Sequence, residues 1–186
     1  MGHDKLRVLE LRKNKLTSCA GLMAMPMLTE LYLNENELTN LEGLRDLACL
    51  RKLDLNANKI TTIDAVLPNL PCLEHLDIGA NLIEAPADGG ISKFECYATT
   101  LKVLIVTGNP FADALADGVK KEVLLTIPGI QKVNEDEITA EDHEACKELK
   151  KEREKEAEEA AKAAAEKLAA GGAEGEGDEA KGEDED

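Results

Sequence analysis

Apolar residues recur at fixed intervals along the first two-thirds of the chain. The clearest unit is residues 50–60, LRKLDLNANKI, in which alternating leucines are followed by an asparagine and an isoleucine. The same pattern begins at Leu6, Leu28, Leu73 and Leu101, so that successive units start 22, 22, 23 and 28 residues apart. Alternation of this kind predicts a short strand with one buried face in every unit.

The repeat length and the recurring asparagine are typical of a solenoid built from leucine-rich repeats. An asparagine at this turn can hydrogen-bond the bare backbone of neighbouring turns. The segments between strands carry an apolar residue at every third position, as Leu41, Leu44 and Leu47 do, which predicts short 3₁₀ or helical turns. We therefore predict an α/β leucine-rich-repeat solenoid, with a curved parallel sheet on the concave face and helical or 3₁₀ turns on the convex face. The asparagines are Asn14, Asn36, Asn58, Asn81 and Asn109.

The fourth unit spans 28 residues rather than 22. It contains Pro86 and the pair Gly89 and Gly90, followed by apolar residues at 91, 94 and 97. This order predicts a loop and then about two turns of helix on the convex side. Two interpretations are open: a tolerated insertion, or a contact knob built around Lys93 and Tyr97.

Residues 112–134 predict a cap for the C-terminal end of the array. The last turn of a solenoid exposes apolar surface that another element must cover. Val119, Val123 and Ile127 lie at helical spacing, and Pro128 then separates this helix from a final strand-like segment.

A long charged helix is predicted to follow the cap. Thr139 and Asp142 have the spacing of a capping box, and residues 140–170 contain no Gly or Pro. This stretch has too few large apolar residues for a coiled-coil seam, so we expect a solvated helix. The Gly, Glu and Asp tract after it predicts a disordered tail. The predicted domains are 1–138, 139–170 and 171–186.

The formal net charge of −16 limits the kinds of partner. Residues 1–138 hold 14 basic and 20 acidic side chains, whereas residues 139–186 hold 8 and 18. A negative surface repels phosphate backbones and anionic headgroups, so we expect neither nucleic acid nor membrane as a partner. The acidic tail instead favours basic segments of other proteins. Without a signal peptide or a long apolar run, the protein should stay in the cytoplasm or an attached compartment.

The sequence offers no set of residues for catalysis or for binding a metal. Its three histidines, His3, His75 and His143, lie in different segments, and there is no glycine-rich phosphate loop. The cysteines show neither a C-x-x-C motif nor zinc-ligand spacing. We therefore predict a protein that is not an enzyme and needs no cofactor or metal. The cysteines are Cys19, Cys49, Cys72, Cys96 and Cys146.

The side chains that alternate with the core leucines should line the concave face. Val103 and Ile105 are predicted to be exposed there, forming a shallow apolar seat for a helix or strand of another protein. The small residues beside this seat are Gly79, Ala80 and Gly108. Alternatively, the cap or the tail folds over it. The candidate partner-binding residues on this face are Tyr32, Asp54, His75, Asp77, Val103 and Ile105.

A second candidate interface is the N-terminal edge of the sheet. The first predicted strand contains Val8, Leu9 and Glu10, and the five residues before it hold no recognisable capping element. The open edge of a strand can pair with another chain. We therefore expect another polypeptide of an assembly to cover Val8, Leu9 and Glu10.

Residues 6–160 resemble the short leucine-rich-repeat proteins of cilia, and most closely the leucine-rich-repeat component of axonemal radial spokes. Residues 108–156, GNPFADALADGVKKEVLLTIPGIQKVNEDEITAEDHEACKELKKEREKE, carry the resemblance. An Asn-Pro step, a cap helix, a Pro-x-Ile strand and a charged helix follow there in that family's order. The resemblance implies a non-enzymatic scaffold that binds other proteins in a large axonemal assembly of a cilium or flagellum, within the cytoskeleton.

A second resemblance is to the acidic nuclear phosphoproteins, which also join a short repeat array to an acidic tail. It implies a phosphatase regulator or histone chaperone located in the nucleus. The tails of that family are denser in acid than residues 171–186, and here a long helix separates array from tail. The nuclear function is therefore the alternative to the ciliary one.

Overall fold

The computed structural model of the chain describes residues 3–22, 25–42, 44, 47–62, 70–84, 90–115 and 118–171, with the backbone alone from 164 onward. These ranges leave out residues 63–69 of the third segment between strands, residues 85–89 of the loop before Gly90, and the predicted tail from residue 172. None of the described helices combines the length and the apolar character that a membrane span requires.

Five short parallel strands, one per repeat, form most of the sheet and lie side by side in chain order. Their register pairs equivalent residues of successive repeats, so the central leucines Leu31, Leu53 and Leu76 stack in a buried row. The predicted fold, a leucine-rich-repeat solenoid, is confirmed. The strands are β1 (Val8–Glu10), β2 (Glu30–Tyr32), β3 (Lys52–Asp54), β4 (His75–Asp77) and β5 (Val103–Ile105).

The predicted asparagines form a ladder that joins each turn to the one before it. Asn58 Nδ2 donates to Leu33 O of the preceding turn at 3.0 Å and to Leu55 O of its own turn at 2.9 Å. Asn58 Oδ1 accepts a bond from Leu38 N at 3.0 Å. Asn14, in the first described turn, donates to Leu11 O and Arg12 O of its own turn. Equivalent ladder bonds are made by Asn36, Asn81 and Asn109.

The residue directly before each of these asparagines adopts a left-handed backbone conformation. Most residues with a side chain avoid this region, whereas glycine tolerates it. Only the last of the five copies is glycine, so the cross-turn hydrogen bonds, rather than glycine, hold these turns. The residues and their φ angles are Lys13 (55°), Glu35 (58°), Ala57 (54°), Ala80 (49°) and Gly108 (72°).

The insertion in the fourth unit forms a 3₁₀ helix, Ile91–Tyr97. A 3₁₀ helix has three residues per turn, which places Ile91, Phe94 and Tyr97 on one side. All three are buried, at 2%, 0% and 4% exposure. The interpretation of Tyr97 as a surface knob is therefore wrong, because its ring belongs to the core and burial raises its pKa to about 12.

The cap closes the array with two helices and a hairpin: α1 (Pro110–Leu115), α2 (Val119–Thr126), β6 (Lys132–Val133) and β7 (Asp136–Glu137). β6 pairs in parallel with β5, and β7 runs antiparallel to β6. Asn134 Oδ1 accepts a hydrogen bond from Val106 N at 2.9 Å. The cap thus extends both the sheet and the asparagine ladder by one further step.

The charged helix is present as α3 (Ala140–Gly171). The chain divides into two compact units, Met1–Cys146 and Lys147–Asp186, so the first turns of α3 belong to the repeat unit. Cys146 is buried, at 7% exposure, and its Sγ lies 4.0 Å from Lys121 O of α2. This division falls inside α3, beyond the predicted boundary at residue 138.

The capping box at the start of α3 is confirmed. Asp142 N donates to Thr139 Oγ1 at 3.3 Å, and Thr139 N donates to Asp142 Oδ2 at 2.8 Å. Asp142 Oδ2 also lies 2.7 Å from Lys120 Nζ of α2. The hydrogen bond from Lys120, and to a smaller extent those from Thr139, hold the pKa of Asp142 well below its usual range.

The Asp142→Asn variant should therefore be less stable than the natural protein at neutral pH, and the difference should vanish in acid. A carboxyl whose pKa is depressed by folding stabilises the native state above its unfolded pKa, about 3.9, and loses that contribution as it becomes protonated. Urea unfolding of both proteins at neutral pH and at successively lower pH measures the gap. A gap that does not narrow below about pH 4 would contradict this assignment.

Candidate protein interaction surface

The strands alternate buried leucines with side chains that face away from the core. These outward side chains form two rows on the concave face, and those described on β2 to β5 are half-buried. One row is Val8, Glu30, Lys52, His75, Val103 and Lys132, and the other is Glu10, Tyr32, Asp54, Asp77 and Ile105. All six candidate residues predicted for the concave face therefore share one surface.

Two cations lie over the ring of Tyr32 on this surface. The Arg12 guanidinium carbon is 4.1 Å from the centre of the Tyr32 ring, and Lys52 Nζ is 5.1 Å from it. Both distances fit cation–π contacts. The Tyr32 hydroxyl donates to Glu30 Oε2 at 2.6 Å, which fixes the ring at both ends.

Asp54 and Asp77 are register partners on β3 and β4. Asp54 Oδ1 accepts a bond from Asn56 N at 3.1 Å, while Asp77 Oδ1 accepts from Gly79 N at 2.9 Å and from Asn56 Nδ2 at 3.4 Å. In the part of the chain that is described, neither carboxylate has a basic side chain within 4.0 Å. Burial raises the pKa of Asp54, and the negative charge of Asp77 raises it further.

His75 occupies the adjacent row, between Lys52 of β3 and Val103 of β5. Burial lowers its pKa, and the positive charge of Lys52 lowers it further. The imidazole is therefore mainly neutral at pH 7, since its ordinary pKa is about 6.5. His75 thus contributes a polar surface without a fixed charge.

The apolar seat formed by Val103 and Ile105 on the concave face differs in two ways from what the sequence predicts. Val103 and Ile105 are half-buried rather than exposed, and Lys132 of β6 lies directly opposite Val103. Gly79 is buried, and a Cβ atom added to it would lie 2.7 Å from Asn56 Nδ2. The side chain of Asn56 therefore lies over Gly79, so that glycine is not part of the seat, whereas Ala80 and Gly108 are exposed.

At the N-terminal edge, β1 pairs with β2 alone among the described strands. Arg7 O accepts hydrogen bonds from Thr29 N and Glu30 N, and Leu11 N donates to Tyr32 O of β2. Because alternate residues of a parallel strand bond to opposite sides, the backbone of Leu9 also faces β2. The backbone groups of Val8 and Glu10 face the open edge, whereas those of Leu9 face β2. Binding of a partner at this edge stays a prediction.

The described residues contain no group of three or more His, Cys, Asp or Glu side chains that could hold a metal ion. The five cysteines are free thiols. Cys19 and Cys146 are buried, and burial raises the pKa of Cys19 to about 11. A buried thiol that stays protonated packs as a small apolar group rather than acting as a nucleophile.

Comparison with known proteins supports the fold. Residues 26–68 and 50–88 each match the family model described as Leucine Rich repeats (2 copies). The crystal structure of the Drosophila melanogaster SNF/U2A' complex contains a similar chain, with a TM-score of 0.62 and 22% sequence identity. The similarity covers 76% of the present chain and 79% of that one. No curated protein matches the chain.

These matches and the geometry define a protein with leucine-rich repeats. The predicted binding residues do not include Arg12, Lys52, Asn56 or Lys132, although each of these side chains shapes the surface around them. For Arg12, Lys52 and Asn56, the position within the repeat indicates that the side chain lies on the concave face. The position of Lys132 beside Val103 could be known only from the register of β6 with β5.

Proposed function

We propose that the protein is a non-enzymatic interaction module, which binds a segment of another protein on its concave face as part of a multi-subunit assembly. The observation that carries this proposal is the mixed character of the face. A fixed aromatic ring, two carboxylates that have no cationic partner among the described residues, and two half-buried aliphatic side chains lie on adjacent strands. Such a mixture suits recognition of a protein segment rather than chemistry.

Of the two cellular settings that the sequence suggests, we propose a nuclear assembly rather than a ciliary one. The similarity to a chain of the SNF/U2A' complex supports the nuclear alternative. The ciliary setting is supported only by the resemblance of residues 6–160 to radial spoke proteins. Fractionation of cells into nuclear extract and axonemes tests the choice, because retention in washed axonemes would reverse it.

The double variant Val103→Asp and Ile105→Asp should lose its partner. Two carboxylates beside Asp77 would remove the apolar contact and add negative charge, so capture should fall by about tenfold or more. The measurement is quantitative affinity capture from nuclear extract, with circular dichroism to verify folding.

Leu82→Asp is the matched control, because Leu82 is 53% exposed and lies outside the strands. It should capture the same proteins as the natural chain. Equal capture by a folded double variant would mean that Val103 and Ile105 are not part of the interface.

A further inference from the structure

Four residues occupy the same position on four successive strands of the concave face. Tyr32, Asp54, Asp77 and Ile105 are consecutive register partners on β2 to β5. Strands lie about 4.8 Å apart, so the row extends for about 14 Å across the sheet. A helix of about ten residues covers the same length.

The centre of this row is short of positive charge. Like charges directly opposite each other on neighbouring strands destabilise a sheet. The positive charges of Arg12 and Lys52 act on Asp54, but both side chains lie over the Tyr32 ring. Among the described residues, neither carboxylate is therefore paired with a cation, and a partner could supply one.

A second observation also indicates missing donors. Asn34 Oδ1, on the same face two residues after Tyr32, is the one buried side-chain acceptor without a hydrogen-bond partner among the described residues. Buried acceptors in native structures normally have a partner. This acceptor lies next to β2, three strands from the apolar side chains of β5, and it adds to the surplus of acceptors on the face.

The apolar end begins one strand away from the acidic pair. Ile105 is the register partner of Asp77, and Val103 is that of His75. A ligand that satisfies both parts needs a cation and an aliphatic group about 5–7 Å apart. Side chains three or four residues apart on a helix have this separation, about 5–6 Å.

We propose that the concave face binds an amphipathic helix of a partner protein, with an arginine of that helix between Asp54 and Asp77 and an aliphatic side chain one turn later on Val103 and Ile105. Arginine fits because its planar guanidinium donates several hydrogen bonds in fixed directions, which two adjacent carboxylates can accept together. This inference rests on the proposed function, which it deepens by defining the chemistry of the partner.

The test uses two synthetic peptides as probes. Each is an alanine-based helical peptide of about 16 residues with a leucine one turn after a variable position. One peptide carries arginine at that position and the other carries glutamine. At low salt, the arginine peptide should bind the full-length protein at least about fivefold more tightly in an NMR titration. The amide signals of Asp54, Asp77 and Ile105 should shift.

The protein variants locate the effect. Asp54→Asn with Asp77→Asn should abolish the preference for arginine and raise the midpoint of thermal unfolding, because the repulsion is gone. The matched control, Glu84→Gln with Glu95→Gln, removes the same charge from exposed residues outside the strands and should keep the preference. Equal binding of the two peptides, or a preference that survives in the Asp54 and Asp77 variant, would overturn the inference.

The two proposals fail separately. If Val103→Asp with Ile105→Asp loses the captured proteins but the asparagine variant retains them fully, the interaction function stands and the arginine site is refuted. If both variants retain them, the concave face itself is refuted as the interface. Loss of capture in both folded variants supports both proposals.

Discussion

Replacing Asn58 by alanine should lower the free energy of unfolding by about 3–5 kcal/mol. The substitution leaves Leu38 N without its acceptor. It also removes one of the two asparagine donors to Leu33 O and one of the two to Leu55 O, which keep Asn36 Nδ2 and Asn81 Nδ2. An unpaired buried backbone group costs about 1–3 kcal/mol. The loss should be large because Asn58 is only 7% exposed and joins two turns of the array.

Urea denaturation of the natural protein and the variant measures this change. Asn14→Ala is the control, since Asn14 has the same place in its repeat but is exposed and bonds only Leu11 O and Arg12 O of its own turn. That control should change stability by less than about 1 kcal/mol. If Asn58→Ala is equally mild, the ladder does not stabilise the array.

The repeat strands and the ladder could be predicted because both arise within one repeat unit. Alternation of apolar residues determines which side of a strand is buried, and Leu53 is 1% exposed as its pattern predicts. The same alternation places Tyr32 and Asp77 on the opposite face. These are short-range consequences of sequence, and parallel register then repeats them in every turn.

The degree of burial could not be predicted, because it depends on neighbouring turns and on the cap. Val103 is half-buried, with Lys132 of β6 opposite it in register. Asn134 joins the ladder although its segment lacks the repeat pattern of leucines. Gly79 lies beneath Asn56 of the preceding repeat. In each case the deciding contact comes from another part of the chain.

The segment between β4 and β5 could be predicted only in part, for a different reason. Apolar residues at every third position fit both an α-helix and a 3₁₀ helix, and short segments do not distinguish between them. The sequence also does not show whether Tyr97 points to solvent or to the core. Packing of this segment against α2 decides the matter, and the ring is buried.

Phe94→Ala should lower the free energy of unfolding by about 3–5 kcal/mol, as expected for truncation of a fully buried phenylalanine. Phe94 is 0% exposed and lies on the same side of the 3₁₀ helix as the buried Ile91 and Tyr97. That helix packs against α2, so the cavity should weaken the attachment of the cap as well as the fourth repeat.

Two measurements distinguish this effect from that of a tolerated insertion. Urea denaturation gives the loss of stability, and amide hydrogen exchange should be faster in α2, at Val123 and Leu124, than in the natural protein. Glu95→Ala is the control, because Glu95 is the next residue on the same helix and is exposed. It should change stability by less than about 1 kcal/mol. If Phe94→Ala also stays within that limit and α2 exchanges no faster, the inserted segment is a dispensable addition to the repeat and not a support for the cap.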